Sequence, residues 1–174
     1  MHLPWRAMAL GAGPAILTSV TAAETATLAE LSHGRRVLEI GSAYGYSAVA
    51  MTLSGAWVTA VDPHHAHNSH EIMLTNLAAY GVTDHVEVVR QYSRTALPAL
   101  ADRGEEYDLI FIDGDHTTAG VEHDIKWSVE LLRPGGTIVC HDYLETCCCP
   151  EVGPTVDLYF SRFDLVDAMA VIPA

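Results

Sequence analysis

At 174 residues the chain has the length of one domain, enough to bury roughly two thirds of its unfolded surface without disulfides or a structural metal. A formal net charge of −13, with only 9 Lys and Arg in all, weighs against nucleic acid, whose phosphates need cations to neutralise them, and favours a small or neutral partner. No apolar run reaches the ~18 unbroken residues of a membrane span.

The chain starts with a segment that mimics a secretion signal, having Arg6, an apolar middle and small residues at Ala22 and Ala23. Gly11, Gly13 and Pro14 interrupt that middle, so residues 1–22 read as a lid or an oligomer contact. "RRVLEI" (35–40) is a buried strand, followed by glycines and the helical "YSAVAMTL" (46–53). "WVTAVD" (57–62) is the second strand. A helix over 69–80 carries an Ile72, Met73, Leu77, Tyr80 stripe, with Asn68 as cap, Glu71 three residues on and Gly81 past its end. "HVEVVR" (85–90) is the third strand, a short helix spans 94–101, and "YDLIFI" (107–112) is the fourth strand. The next helix carries Val121, Ile125, Val129 and Leu132, after which "RPGG" (133–136) turns the chain into a fifth strand, "TIVCH" (137–141). A helix in "VDLYFSRF" and a strand, "AMAVI", close the chain. Apolar strands alternating with amphipathic helices predict a doubly wound α/β fold, its parallel sheet covered on both faces. Such sheets bind ligands outside the carboxyl ends of the strands, where strand order reverses.

Chemistry concentrates at those ends. In "EIGSAYGYS" (39–47), Gly41 and Gly45 flank a turn that lets backbone amides approach a ligand at the following helix N-terminus. Asp62 ends the second strand about 20 residues later, placed to accept from ribose hydroxyls. The alternative is that the glycines merely permit tight packing and Asp62 caps a turn. "IFIDGDH" (110–116) ends a buried strand in Asp113, Asp115 and His116, with Gly114 allowing the exit. If the fifth strand neighbours the fourth, His141 and Asp142 lie about 5 Å away across the ladder, and the group can converge on a divalent cation. Adjacent strand residues point to opposite faces, so His141 and Asp142 reach one ion only where the strand has ended. The competing reading makes these acids helix caps, with Asp115 or Thr117 as N-cap.

Some features carry less. "HHAHNSH", with His67 and His70 able to share a helix face, reads as a polar loop at a ligand mouth. "TCCCP" reads as packing or a substrate-side loop, because successive thiols diverge. Consecutive Cys147, Cys148 and Cys149, with Cys140 upstream, are no disulfide framework and point to a reducing cytoplasm. Trp5 reads as a lid aromatic and Trp57 as a packed strand residue.

"VLEIGSAYGYS", "VDP", "YDLIFIDGDH" and "LLRPGGTIVCHDY" resemble the successive motifs of class I S-adenosylmethionine-dependent methyltransferases. Within these they resemble the metal-dependent small-molecule O-methyltransferases, the branch of the catechol and caffeoyl-CoA enzymes and of relatives that methylate natural-product sugars. The likeness covers 37–143, and the tail resembles that family's closing helix and antiparallel strand. It implies one methyltransferase domain over 1–174, with a cofactor core at 35–143, a closing helix and strand in 144–174, and a seven-stranded, mostly parallel, Rossmann-like α/β sheet whose last strand is antiparallel. It further implies that Glu39, Gly41, Ser42, Gly45 and Ser47 hold the methionine part of the cofactor and Asp62 the ribose. Gln91 to Ser93 would lie near adenine, and Asp115 would receive the amino group. Asp113, His141 and Asp142 match metal-binding positions, for magnesium or manganese, and His116 stands where these enzymes place a base.

Two departures matter. Ala43 replaces a usual glycine, tolerable if the turn is not left-handed there. His141 replaces a usual carboxylate, which suits softer ions better. The expected activity is methyl transfer to a hydroxyl of a small molecule, and with scant material to enclose a substrate a homo-oligomer could complete the pocket. Nicotinamide-dependent oxidoreductases use the same glycine and acid logic, and a non-catalytic cofactor-binding or scaffold subunit would share the fold. "DGDH" and the tail favour the methyltransferase reading over the oxidoreductase.

Overall fold

The structure, a computed structural model, describes residues 5–65, 68–144 and 148–174. It opens with an antiparallel hairpin of β1 (Arg6–Met8) and β2 (Ile16–Thr18). α1 (Ala22–Ser32) begins with a capping box encoded by "TAAE": Glu24 N donates to Thr21 Oγ1, and Thr21 N donates to Glu24 Oε2 at 2.7 Å. β3 (Arg36–Ile40), α2 (Tyr46–Leu53), β4 (Trp57–Val61), α3 (Ser69–Ala79), β5 (Val86–Val89) and α4 (Ser93–Asp102) follow. β6 (Tyr107–Ile112), α5 (Thr118–Leu131), β7 (Leu132–Cys140), α6 (Val152–Tyr159), β8 (Asp164–Val166) and β9 (Met169–Pro173) complete the chain.

Seven strands form one sheet in the order β5-β4-β3-β6-β7-β9-β8, parallel from β5 to β7 and antiparallel at β9 and β8. Strand alternation divides the apolar residues between two cores. Leu38, Ile40, Ile110, Ile112 and Ile138 pack with Leu97, Ile125 and Val156 of α4, α5 and α6. Val37, Leu109, Phe111 and Val139 pack with Leu28, Val49 and Met73 of α1, α2 and α3. Both faces are therefore covered, which is why these strands read as largely apolar runs.

Several local expectations are corrected. β8 has no counterpart in the sequence reading, because its three residues are largely exposed and carry no apolar pattern. "RPGG" lies within β7: Tyr107 pairs with Leu132 and Leu109 with Thr137, so the residues between bulge from the ladder. The buried side of α5 carries Val121, Ile125 and Leu131 with Asp124 and Ser128, while Val129 is 57% exposed and Leu132 already belongs to β7. Asn68 precedes α3 in the left-handed region and makes no side-chain cap bond, so no capping box exists there. Trp57 is exposed, its ring 4.5 Å from that of His85.

The order reverses between β3 and β6: the chain winds outward from β3 through β4 to β5, then returns to β6 and winds the other way. The ladders continue one residue past the strand ends. Gly41 N donates to Val61 O at 2.8 Å, Asp113 N to Ile40 O at 2.8 Å and His141 N to Ile112 O at 2.9 Å. These bonds set the backbones of Gly41, Asp113 and His141 beside one another. At Gly41, φ is +89° and a Cβ would lie 2.0 Å from the Asp113 carbonyl oxygen, so only glycine fits. Gly41→Ala should cost about 3 kcal/mol or more in urea unfolding. Gly34→Ala, at φ +67° with nothing within 4 Å, should cost only the left-handed strain of about 1–2 kcal/mol. Equal costs would contradict this account of the switch point.

Candidate functional site

The carboxyl ends of β3, β4, β6 and β7 open into a cleft of about 580 Å³, within the range of about 300–1,000 Å³ usual for small-molecule sites. Gly41, Asp62, Ser93, Asp113, Asp115, His116 and Asp142 all line it, together with Ala43 and Tyr92. Trp5 also lines it, its ring edge-on to Tyr44 with centroids 5.7 Å apart. Gln91 is exposed and is not among the lining residues, unlike its neighbours Tyr92 and Ser93.

The glycine loop is built from beneath. Gly45, at φ +83°, precedes α2 without any side-chain cap, which leaves the first amides of the helix available to a ligand. Ala43 is left-handed at φ +43°, so the condition under which alanine would replace glycine there without strain is not met. This geometry costs about 1–2 kcal/mol for a residue with a Cβ. Ala43 N donates to Asp62 Oδ2 at 2.8 Å, and His64 N donates to Asp62 Oδ1 at 2.6 Å. Asp62 thus buttresses the loop, as the turn-capping alternative has it, while its carboxylate borders the cleft.

Ser42 and Ser47 line a smaller recess that shares Gly41, Ala43 and Asp113 with the cleft. Ser42 Oγ donates to Met73 Sδ at 3.5 Å, and Ser47 Oγ makes a short bond to Glu39 Oε1. Burial pushes the Glu39 carboxyl up to about 8, outweighing the Ser47 bond, and Glu39 Oε2 is buried without a partner. Asp115 is exposed at the cleft and accepts from Thr117 N at 3.0 Å, while Thr117 caps α5 by accepting from Gly120 N at 3.2 Å.

The titratable groups converge at the ends of β6 and β7. β7 stops at Cys140, and Asp142 has φ +57°, a region that Asp tolerates better than most residues. This turn resolves the facing problem. His141 Nδ1 lies 3.2 Å from Asp113 Oδ1 and 3.3 Å from Asp142 Oδ1. Cis ligands on an octahedral cation with bonds of about 2.1 Å stand about 3.0 Å apart, so the set fits a divalent ion. The fit is reinforced by His141 Nδ1 itself, which is buried and lacks a hydrogen-bond partner.

Glu24, absent from the residues the sequence singles out, stands behind this set. Its Oε2 is 3.2 Å from His141 Nε2, and Ala168 N donates to its Oε1 at 2.9 Å. A proton on Nε2 shared with Glu24 leaves Nδ1 as the free donor atom. The signal was present as the Glu of the α1 capping box, but local spacing gives no sign that it faces β7.

Carboxylates and imidazoles shift one another here. Burial raises the Asp113 carboxyl, but His141 and His116 overcome it and hold it down at about 2. Burial lowers His141, yet Asp113, Asp142 and Glu24 together raise it well above the ordinary histidine value. His116 Nε2 lies 3.2 Å from Asp142 Oδ2 and 3.5 Å from Asp113 Oδ1, neither aligned as a hydrogen bond. The Asp113 carboxylate beside it raises its affinity for protons despite partial burial.

In the histidine-rich loop, His64 Nδ1 is 3.1 Å from Ser69 Oγ and its ring centroid 5.2 Å from that of His70, while His65 lines the cleft against Tyr92. His67 and Cys147 lie outside the described residues. Among the described residues, no helix is long and apolar enough to cross a membrane.

Residues 38–143 match the family described as a methyltransferase domain. A catechol O-methyltransferase from Mycobacterium tuberculosis is 39% identical over 117 residues, covering 64% of this chain and 50% of that protein. A catechol O-methyltransferase from Niastella koreensis is 30% identical over 123 residues, covering 67% of this chain and 53% of the relative. The chain thus spans about half the length of these curated relatives. An O-methyltransferase from Bacillus cereus, solved in complex with SAH, shares the fold with a TM-score of 0.71, covering 89% of this chain and 82% of that one at 21% identity.

Glu39 gives a test by pH. The unfolded carboxyl ionises near 4.5 and the folded one at about 8, so above 4.5 the unfolded state releases its proton first. Wild-type stability should therefore fall as pH rises through that window and level off above it. Glu39→Gln lacks this loss, and its stability relative to wild type should rise by on the order of 4 kcal/mol across the window, read by urea unfolding. A difference independent of pH would show that Glu39 is not a buried neutral acid.

Proposed function

Because the chain belongs to the methyltransferase-domain family, we propose that it transfers a methyl group from S-adenosylmethionine to a hydroxyl of a small molecule, with His116 taking the hydroxyl proton. The observation that carries this reading is the meeting, in one cleft at the sheet's switch point, of a glycine loop with uncapped helix amides and the group of Asp113, His116 and Asp142, with His141 buried behind it. The catechol O-methyltransferase relatives support a hydroxyl acceptor.

In this reading Gly41 and Gly45 give the methionine end of the methyl donor close access to backbone amides, with Ser42, Ser47 and Glu39 bracing the loop. Asp62 accepts from ribose hydroxyls, Tyr92 and Ser93 border the base, and Asp115 takes the amino group. Asp113, His141 and Asp142 hold a divalent cation, which when bound supplies positive charge that lowers the acceptor hydroxyl's pKa and orients its oxygen. Magnesium or manganese suits the carboxylates, while His141 widens the choice to softer ions. His116 is poised at the cleft with Nε2 between Asp113 and Asp142, whose carboxylates stabilise the imidazolium once it has taken the proton. Holding acceptor and donor in line supplies much of the acceleration, because methyl displacement requires collinear approach. Trp5 and Ser19 line part of the cleft, and a second copy of the chain completing the substrate side belongs to the same reading, as does a reducing, cytoplasmic setting.

His116→Ala should lower kcat by about 10²–10⁴-fold and leave calorimetric binding of S-adenosylmethionine unchanged. An unaltered kcat would remove the base role. Glu24→Gln should weaken magnesium or manganese binding by about 10–100-fold, because the imidazole loses the partner that fixes its tautomer. Equal affinity in wild type and variant would leave Glu24 with a packing role alone.

A further inference from the structure

Asp142 uses only one of its oxygens toward Asp113 and His141. The other, Oδ2, faces a different set: His116 Nε2 at 3.2 Å and Cys149 Sγ at 3.6 Å. All three donor atoms lie within 4.8 Å of one another, and all three residues line the cleft. We propose that His116, Asp142 and Cys149 form a second cation site, distinct from that of Asp113, His141 and Asp142, which takes a borderline-soft divalent ion such as zinc or cobalt.

The geometry supports a tetrahedral ion. With metal–sulfur bonds of about 2.3 Å and metal–oxygen and metal–nitrogen bonds of about 2.0–2.2 Å, tetrahedral ligands stand about 3.6 Å apart for S···O and about 3.4 Å for N···O. The observed S···O and N···O separations of 3.6 and 3.2 Å lie close to these values, and the nitrogen and sulfur are within 4.8 Å of each other. His116 Nε2 is buried without an aligned hydrogen bond, its other neighbouring carboxylate being Asp113 Oδ1 at 3.5 Å. One nitrogen, one oxygen and one sulfur make a set suited to zinc and poor for magnesium. Three protein ligands leave a fourth position open to the cleft.

Cys149 is a buried thiol in the free protein, its proton held by burial, by the Cys148 sulfur 3.0 Å away and by the Asp142 charge. Cation binding releases that proton to solvent and forms the metal–thiolate bond, with no change in oxidation state. Occupancy also engages His116 Nε2, so this ion and proton abstraction by His116 exclude one another. That consequence rests on the methyl-transfer reading, whereas the site itself does not.

Cobalt(II) is the probe, titrated into the reduced full chain without methyl donor or acceptor, so the result is independent of whether His116 is a base. Wild type should give an intense near-ultraviolet thiolate-to-cobalt charge-transfer band that zinc abolishes by displacement. The band should vanish in Cys149→Ser and persist in Cys148→Ser and Asp113→Asn. If Cys149→Ser does not fold, His116→Asn serves instead, expected to weaken cobalt binding by on the order of 10-fold. Absence of the band in wild type, its survival in Cys149→Ser, or unchanged affinity in His116→Asn would each overturn the proposal.

Discussion

The site depends on a register. Ile40 pairs with Ile112 and Ile112 with Cys140, and the next amide on β6 and on β7 donates back across the ladder. Parallel strands place equivalent residues side by side, so chemistry written at three distant points of the chain arrives in one row. A slip of one residue would turn His141 to the opposite face of the sheet and dissolve the cluster. The apolar alternation that fills both cores protects the register, because any slip would also bury the wrong residues.

Onto that row the protein loads more negative charge than it neutralises. Glu24, Asp113 and Asp142 surround His141, and His116 stands against Asp113 and Asp142, so two imidazoles face three carboxylates. Burying such a set opposes folding unless something else supplies positive charge. The cluster is therefore no source of stability by itself, and the proposed cation would relieve its excess of negative charge. Cys149 at its margin places a thiol beside His116 and Asp142.

The glycine loop shows the same preference for positioning over local comfort. Ala43 accepts a left-handed backbone in return for the bond from its amide to Asp62, and Glu39 sits neutral beneath it. Asp62 thus couples the loop to the end of β4, so ligand contacts on either element bear on the other. Trp5 and Ser19, which flank the hairpin, also line the cleft.

Much of this was legible in the sequence, for physical reasons. Buried parallel strands must be largely apolar and their helices one-sided, so the α/β alternation and the residues leaving each strand end follow from composition and period, whereas the strand order that sets the reversal between β3 and β6 does not. Gly41 was legible because no other residue allows so close a backbone approach. The sequence could not tell that Asp142 turns left-handed and joins His141 on one side, that Ala43 does the same, or that Gln91 faces away from the cleft. Nor could it reveal that the capping Glu24 backs His141 across 117 residues of chain, or that Cys149 meets Asp142. Patterns along a chain report which face a residue occupies, because that is set by the local backbone period. Which side chains meet is set by how distant elements pack, and only the tertiary structure decides it.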